Sequence, residues 1–194
     1  MIILGLTGSM GMGKSTTARM FRDRGLPVWD ADATVHDLYA PGGAAIGPVG
    51  DAFPGTRQGD AIDRAVLRTA IRADPDAALA RLNAIVHPLV AQARSDWMAA
   101  RHDPIVVWDV PLLFETGLDA QCDRVAVVSV DAATQRARIL ERGTMSEDEL
   151  AMILARQMPD ADKRARADYV IPTDTMAVAE AAVEAIVTDL TGGR

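Results

Sequence analysis

The sequence is poor in cysteine and has no long apolar stretch. Cys122 is the only cysteine, so no internal disulfide can form, and we expect a reducing, cytoplasmic setting. No apolar run approaches the ~20 residues of a membrane-spanning helix, so we expect no membrane partner. Because no basic stretch precedes the first apolar run, we also expect no secretory signal peptide.

The sequence also lacks an excess of positive charge. A formal net charge of −7 argues against a general nucleic-acid-binding surface, so we expect no nucleic-acid partner. The three histidines, His36, His87 and His102, are scattered and do not show zinc-ligand spacing. Among the 20 basic residues only Lys14 and Lys163 are lysines. The arginines favour phosphate recognition, because a guanidinium group can bond two phosphate oxygens at once.

The most informative feature present is a glycine-rich loop at residues 8–15, which has the full P-loop spacing and lies between an apolar run and a helix-compatible stretch. The backbone N–H groups of such a loop bind phosphate oxygens, and the helix N-terminus adds positive potential. We expect Lys14 to reach the β- and γ-phosphates of a nucleoside triphosphate and the Ser15 hydroxyl to ligate Mg²⁺. The predicted nucleotide-binding residues of this loop are Gly8, Ser9, Met10, Gly11, Met12, Gly13, Lys14, Ser15 and Thr16.

Apolar, β-rich runs alternate with helical stretches along the chain. Several of these runs are apolar on both faces, as expected for parallel strands that are covered by helices on each side. The alternation predicts an α/β fold of the P-loop NTPase type with a doubly wound, parallel five-stranded sheet. The predicted strands are residues 2–7, 26–30, 105–109, 124–130 and 169–171.

We expect the 194 residues to form a single domain with accessory lobes, as a monomer or a weak homo-oligomer. Residues 41–59 are rich in Gly and Pro and predict a loop with at most one short helix. The apolar stripe over residues 79–97 predicts an amphipathic helix that Pro88 bends near His87. The predicted parts are a core of about 1–33, 104–131 and 165–194, an inserted helical substrate lobe of about 34–103 and a helical lid of about 132–164.

The predicted lid is dense in basic residues. Residues 131–142 and 146–158 predict two helices, the second capped by Ser146 with Glu149. A last helix is predicted over residues 176–190, and its helical period predicts that Ala179, Val183, Ile186 and Leu190 are buried against the sheet. A solvated helical surface explains some of the charge, and the alternative is a mobile lid whose cations close over triphosphate. The basic residues are Arg136, Arg138, Arg142, Arg156, Lys163, Arg164 and Arg166.

Carboxylates follow two of the predicted strands. Asp32 comes just after the second strand, beside the P-loop in a sheet of this topology, where it can accept the proton of an acceptor hydroxyl. The alternative is that Asp30 or Asp32 only caps the next helix. Asp109 ends an apolar strand, which is the position of a Walker-B carboxylate that holds Mg²⁺ directly or through water. Residues 110–115 follow and either pack against the sheet or line the acceptor pocket.

These motifs together resemble the dephospho-CoA kinase family over nearly the whole chain. The separated motifs are more specific than the P-loop, which many unrelated proteins share. In chain order they are the P-loop, Asp30-Ala31-Asp32, Asp63-Arg64 with Leu67, His87-Pro88, Pro111-Leu112-Leu113-Phe114-Glu115, Gln135 with Arg138 and Arg142, Gln157, and Ala167-Asp168 with Val170-Ile171.

The resemblance implies a kinase, similar to nucleoside-monophosphate kinases, that uses ATP and Mg²⁺ to phosphorylate the ribose 3′-hydroxyl of dephospho-CoA. The products would be coenzyme A and ADP, the last step of coenzyme A biosynthesis. It implies that Asp32 is the base, that Lys14 and Ser15 hold ATP and Mg²⁺, and that Arg142 offsets transition-state charge. Groups in that last role contribute ~10³–10⁵-fold to the rate. The implied acceptor-site residues are Asp32, Arg64, His87, Leu112, Leu113, Phe114 and Glu115.

Three segments depart from the family pattern. Ser9 stands where glycine is usual, and an Asp-Gly turn is replaced by Gly59-Asp60. Thr173 and Thr175 take the places of an asparagine and a glycine in a segment that the resemblance places near the nucleotide base. Thr173 is therefore also assigned to nucleotide binding.

Two other functions remain open from the residues alone. One is another small-molecule P-loop kinase with a nucleotide or sugar acceptor, which shares every feature except the separated motifs. The other is a GTP-dependent switch or regulatory binding protein. Such proteins carry an Asn-Lys-x-Asp guanine motif, and neither lysine of this chain follows an asparagine.

Overall fold

The computed structural model describes residues 1–141, 143, 147–154 and 157–192. Its centre is a five-stranded parallel sheet in the order β2-β5-β1-β6-β7, and β3 and β4 form a separate antiparallel hairpin. The strands are β1 (Ile2–Thr7), β2 (Val28–Asp30), β3 (Arg57–Gln58), β4 (Ala61–Ile62), β5 (Ile105–Asp109), β6 (Arg124–Ser129) and β7 (Tyr169–Pro172).

Helices connect these strands. They are α1 (Lys14–Asp23), α2 (Ala31–Tyr39), α3 (Ile46–Ala52), α4 (Arg64–Ala73), α5 (Pro75–Ala99), α6 (Ala132–Glu141), α7 (Glu147–Leu154), α8 (Asp160–Arg166) and α9 (Met176–Gly192). No helix within the described ranges is long and apolar enough to cross a membrane.

The predicted fold class is confirmed, with small shifts at strand ends. β2 begins at Val28 rather than at residue 26, because the Leu26 N–H donates to the Phe21 carbonyl in the turn that ends α1. β2 is also separated from β1 by β5, so it is not the direct neighbour of the strand that leads into the P-loop. α6 begins one residue later than predicted, because Asp131 caps it by accepting the Ala133 and Thr134 N–H groups.

The register of the central strands positions the chemistry. β1 pairs with β5 so that Leu6 lies opposite Asp109, and Thr7, the last residue of β1, precedes the P-loop directly. On its other side Thr7 is paired with Val127 of β6. A carboxylate at the end of β5 is therefore held beside the start of the phosphate-binding loop.

The chain forms two compact units, and the first comprises residues 1–29 and 102–194. Its apolar core lies between the sheet and the helices α1 and α9. The four positions predicted to bury α9 are all buried. They are Ala179, Val183, Ile186 and Leu190.

The second unit comprises residues 30–101 and has its own apolar core. α5 contacts α2, α3 and α4 and continues through Pro88. Gly59 and Asp60 form the two-residue turn between β3 and β4, in which Gly59 has a φ of 61° and Asp60 does not have a positive φ. Glycine at the first turn position alone is the requirement of a type II′ turn, so the departure from Asp-Gly still closes the hairpin.

Candidate active site

The P-loop enters α1 through left-handed glycines. Gly11 and Gly13 have φ values of 80° and 90°, and α1 begins at Lys14 with no side-chain cap. A Cβ on Gly11 would lie 2.7 Å from the Ile139 side chain, so position 11 has no room for one. The uncapped first turn leaves N–H groups directed at a site that an anion can occupy.

Lys14 and Asp109 meet at the mouth of this loop. The Lys14 Nζ lies 2.6 Å from Oδ1 of Asp109, whose side chain is only 2% exposed. Ser15 follows Lys14 and is exposed at the start of α1. The register of β5 against β1 thus brings together Lys14 and Asp109, which the sequence assigned to phosphate and metal chemistry, and Ser15 follows Lys14 in the chain.

The oxygen ligands here suit Mg²⁺. Within the described ranges, no group of three or more His, Cys, Asp or Glu side chains is placed to hold a metal ion. Mg²⁺ in phosphoryl-transfer sites needs only one or two protein oxygens, because phosphates and waters complete its octahedron. The hydroxyl of Ser15 and the carboxylate of Asp109 provide that number of hard oxygen ligands.

Thr173 binds the P-loop from the other side. Its side chain is buried, and its Oγ1 donates to the Met12 carbonyl at 2.8 Å. Arg138 donates to the same Oγ1 at 3.2 Å and to the Thr173 carbonyl at 2.6 Å. Arg138 therefore fixes the segment after β7 against the P-loop.

A cavity of about 150 Å³ opens beside this contact. It borders the P-loop glycines Gly11 and Gly13 and the first turns of α1 and α9. Its wall combines hydroxyl groups with a thioether and a guanidinium group. The residues concerned are Thr16, Thr17, Arg138, Thr173, Thr175 and Met176.

Two glutamines reach the P-loop backbone, and the sequence analysis gave neither a role. Gln135 Nε2 donates to the Met10 carbonyl at 2.7 Å, and the Met10 N–H donates to Gln157 Oε1 at 3.4 Å. In the sequence, both glutamines were marked by belonging to the separated motifs of the family resemblance. The contacts themselves join residues too distant in sequence to be inferred from spacing.

Asp30 and Asp32, at the start of the second unit, have different environments. Asp30 caps α2 by accepting the Ala33 N–H at 2.9 Å, which confirms the capping alternative for that residue. Asp32 lies in the first turn of the same helix and is exposed. Its carboxylate is thus presented to the surface rather than used as a cap.

Arg64 contacts a histidine that the sequence analysis did not assign. Its Nη1 lies 3.2 Å from Nδ1 of His36, which follows Asp32 by one helical turn. Burial raises the pKa of the Tyr39 phenol, and the charge of Arg64 opposes that rise. His87 is exposed on α5.

The segment after Asp109 combines buried and exposed side chains. Leu113 and Phe114 are buried, so packing on the sheet describes these two residues. A Cβ on Gly5 would lie 2.7 Å from Leu113, which explains the glycine in β1. Leu112 is 41% exposed and is the apolar side chain of this segment that faces outward.

Lys163 is not a lid cation, and the sequence interpretation was wrong there. Its side chain has no exposure and its Nζ lies 2.9 Å from Oε1 of Glu115, which also accepts the Met158 N–H. Burial raises the pKa of Glu115, but the bonds from Lys163 and Met158 outweigh it and hold the pKa below its usual value. The many basic residues around Lys163 suggested a charged surface. Its partner Glu115 is too distant in sequence for the pairing to be inferred.

Neighbouring basic residues also have protein partners. Arg164 pairs with Asp160 at 3.0 Å, and Arg166 pairs with Asp119 at 2.7 Å. The predicted lid arginine Arg142, Arg156 and the predicted cap Ser146 lie outside the described residues. Their assignments stay predictions.

Comparisons with known proteins show the family and the fold to which the chain is similar. The sequence profile of the dephospho-CoA kinase family matches residues 2–179. A dephospho-CoA kinase of Jannaschia sp. is 57% identical over 98% of this chain and 97% of its own. A Thermus thermophilus protein of known crystal structure is 30% identical, with a TM-score of 0.86 and 98% of both chains covered. A dephospho-CoA kinase from Campylobacter jejuni, 20% identical over 99% of this chain and 98% of its own, shares the fold with a TM-score of 0.71. The chain therefore belongs to the dephospho-CoA kinase family.

Proposed function

We propose that this chain transfers the γ-phosphoryl group of ATP to the ribose 3′-hydroxyl of dephospho-CoA, which yields coenzyme A and ADP. The observation that carries the proposal is membership of the family over nearly the full length. The geometry of Lys14 and Asp109 at the P-loop supports the chemistry, because phosphoryl transfer depends mainly on positioning and charge compensation.

The phosphates of ATP bind the P-loop N–H groups, and Lys14 reaches the β- and γ-phosphates. The Ser15 hydroxyl and the Asp109 carboxylate would hold Mg²⁺, the latter directly or through water. When bound, Mg²⁺ supplies compensation of the negative charge that develops on the phosphate oxygens. The adenine base occupies the cavity beside Thr173, which Arg138 braces.

The acceptor hydroxyl is deprotonated by Asp32. Its exposed carboxylate supports this role, because Asp30 already serves as the helix cap and leaves Asp32 available. Arg64 and His87 bind the acceptor from the lobe of about 34–103. The segment formed by Leu112, Leu113, Phe114 and Glu115 also belongs to the acceptor site, and Leu112 is its exposed apolar side chain.

The region of about 132–164 acts as a lid. Arg142 compensates charge on the transferring phosphoryl group when the lid closes, and closure excludes water that would otherwise hydrolyse ATP. The lid role of this region and the substrate-binding role of the lobe rest on the family resemblance and on the helices seen there.

An acceptor panel tests the function. Purified protein with ATP and Mg²⁺ is given dephospho-CoA, AMP, adenosine or shikimate, and the products are identified by mass. We expect turnover of dephospho-CoA alone, with coenzyme A as product, and no turnover by a Lys14→Met variant prepared in parallel. Turnover of a different acceptor alone would leave the P-loop chemistry standing and contradict the assigned substrate.

A further inference from the structure

Lys163 is a buried charge for which the chemistry proposed above has no use. It lies on α8 with no side-chain exposure, and its Nζ is 2.9 Å from Glu115 Oε1 and 3.5 Å from the Pro111 carbonyl oxygen. Removing the Lys163 ammonium fully from water, and the Glu115 carboxylate partly, costs free energy that their attraction often fails to recover. A purely stabilising role is therefore a weak explanation for this pair.

The atoms around the pair join three segments of the core unit. Glu115 Oε1 also accepts the Met158 N–H at 2.8 Å, just before α8. The Pro111 carbonyl also accepts from the Thr7 hydroxyl at 3.0 Å, and Thr7 directly precedes the P-loop. The end of β1, the segment 111–115 and the residues that lead into α8 are thus held by one connected set of polar contacts.

Flanking contacts strengthen this connection at both ends. Gln157, next to Met158, accepts the Met10 N–H of the P-loop at 3.4 Å. On the other side, the Arg166 guanidinium lies 4.5 Å from the centre of the Phe114 ring. The segment 111–115 is therefore fixed to α8 along its length, while the residue before Met158 contacts the phosphate-binding loop.

We propose that Lys163 and Glu115 are positioning residues for phosphoryl transfer. The pair fixes the segment 111–115 against residues 157–163, so that the P-loop, Asp109 and the exposed Leu112 keep a constant spacing. Neither side chain has to touch a substrate for this role. The inference rests on the proposed function, because Leu112 matters only if this segment contacts the acceptor.

Two substitutions separate positioning from stability. Lys163→Met keeps the side-chain volume but leaves the Glu115 carboxylate, whose side chain is 18% exposed, without its cation, so we expect a lower Tm. Adding Glu115→Gln removes the unpaired charge while its side-chain oxygen can still accept the Met158 N–H. We expect this double variant to regain most of the Tm, because replacing both partners removes the desolvation penalty of the orphaned group.

The rate should not return with the stability. In the double variant, α8 no longer bonds the Pro111 carbonyl or residue 115, and small misplacements near a reacting centre cost up to ~10²-fold in rate. We expect kcat with saturating ATP and dephospho-CoA to stay about 10- to 100-fold below wild type. The Kd of ATP, measured by equilibrium binding, should change by no more than about twofold, because the P-loop residues are intact.

Val183→Ala is the matched control. Val183 is fully buried on α9, and its truncation lowers the Tm without touching the pair or the P-loop. We expect its kcat to remain at the wild-type value at a temperature where the variant is folded. The proposal would be contradicted if Lys163→Met behaved like Val183→Ala, with a lower Tm and an unchanged kcat at a temperature where the variant is folded.

The decisive result is the rate of the double variant. A wild-type kcat together with a wild-type Tm would reduce the pair to a structural contact and overturn the inference. If the double variant does not fold, Glu115→Gln alone is judged by the same two readouts. Failure of the wild-type protein to phosphorylate dephospho-CoA would instead contradict the proposed function, and the variants would then be compared with the acceptor that the panel identifies.

Discussion

The ammonium group of Lys14 lies 2.6 Å from Oδ1 of Asp109, across the boundary between the P-loop and β5. The contact follows from the pairing of Leu6 with Asp109, which places the end of β5 next to the strand that leads into the loop. Two residues assigned to different ligands, phosphate and Mg²⁺, therefore share one small site. Binding of phosphate to Lys14 and of Mg²⁺ to Asp109 would therefore compete with the ion pair between these two residues.

Asp109→Asn should weaken the response to Mg²⁺. The substitution removes a charge that holds the metal directly or through water, and loss of such a group typically costs about 10- to 100-fold in metal affinity. The measurement is kcat against free Mg²⁺ at saturating ATP. Asp131→Asn is the control. Asp131 is exposed and caps the start of α6, and asparagine caps a helix equally well. An unchanged Mg²⁺ midpoint would remove Asp109 from the metal site.

Asp32→Asn should lower kcat by about 10²- to 10⁴-fold, the contribution of a general base, while ATP affinity stays nearly the same. Steady-state kinetics and equilibrium ATP binding give the two quantities. Asp30→Asn is the matched control, because the asparagine side-chain oxygen can still accept the Ala33 N–H and so retains the cap of α2. The proposed base would be ruled out by a variant with wild-type kcat.

Arg142→Ala should depress kcat by about 10³- to 10⁵-fold, as expected for a cation that compensates transition-state charge. The KM for dephospho-CoA should change much less than kcat. Arg164→Ala, which removes an exposed arginine paired with Asp160, should leave both constants near wild type. If Arg142→Ala changed only the KM for dephospho-CoA, the residue would belong to the acceptor site.

Thr173→Val should raise the KM for ATP about 5- to 30-fold. The variant loses the bond to the Met12 carbonyl and the bond from Arg138, and the loss of two such contacts amounts to about 1–2 kcal/mol. Thr173→Ser keeps the hydroxyl and should restore the affinity. A valine variant with the KM of the wild type would show that the hydroxyl does not organise the nucleotide site.

The pH dependence of stability should reveal Glu115. Because its pKa is lower in the folded protein than in the unfolded chain, its contribution to stability is complete above the unfolded value of about 4.3 and is lost as the pH falls toward the folded value. The free energy of unfolding should therefore fall more steeply below about pH 4.3 in the wild type than in Glu115→Gln. Parallel curves for the two proteins would contradict the depressed pKa.

Local patterns were enough to predict the frame of the molecule. Short stretches of sequence predict the strands of the parallel sheet, the P-loop and the carboxylate at Asp109. The signals are apolar runs, glycine spacing and strand ends, and each of them is local. The buried face of α9 followed from its helical period. The hairpin at Gly59 was missed because its strands are two residues long.

Contacts between distant residues could not be predicted in this way. Lys163 was read as a surface cation in a basic region, although the fold buries it against Glu115. Arg138 belongs to the same basic set, and its bond to the Thr173 carbonyl was not predicted either. A charged side chain has the same appearance in a sequence whether it faces solvent or a buried partner, so only the three-dimensional structure separates the two.

The most direct test of the account is the site of phosphorylation in the product. Wild-type protein is incubated with ATP, Mg²⁺ and dephospho-CoA, and the product is examined by mass spectrometry and by ³¹P NMR. The account predicts one added phosphate, present as a monoester on the ribose 3′-hydroxyl, with ADP formed in equal amount. ADP formation without phosphorylated acceptor, or a phosphate at another position, would contradict it.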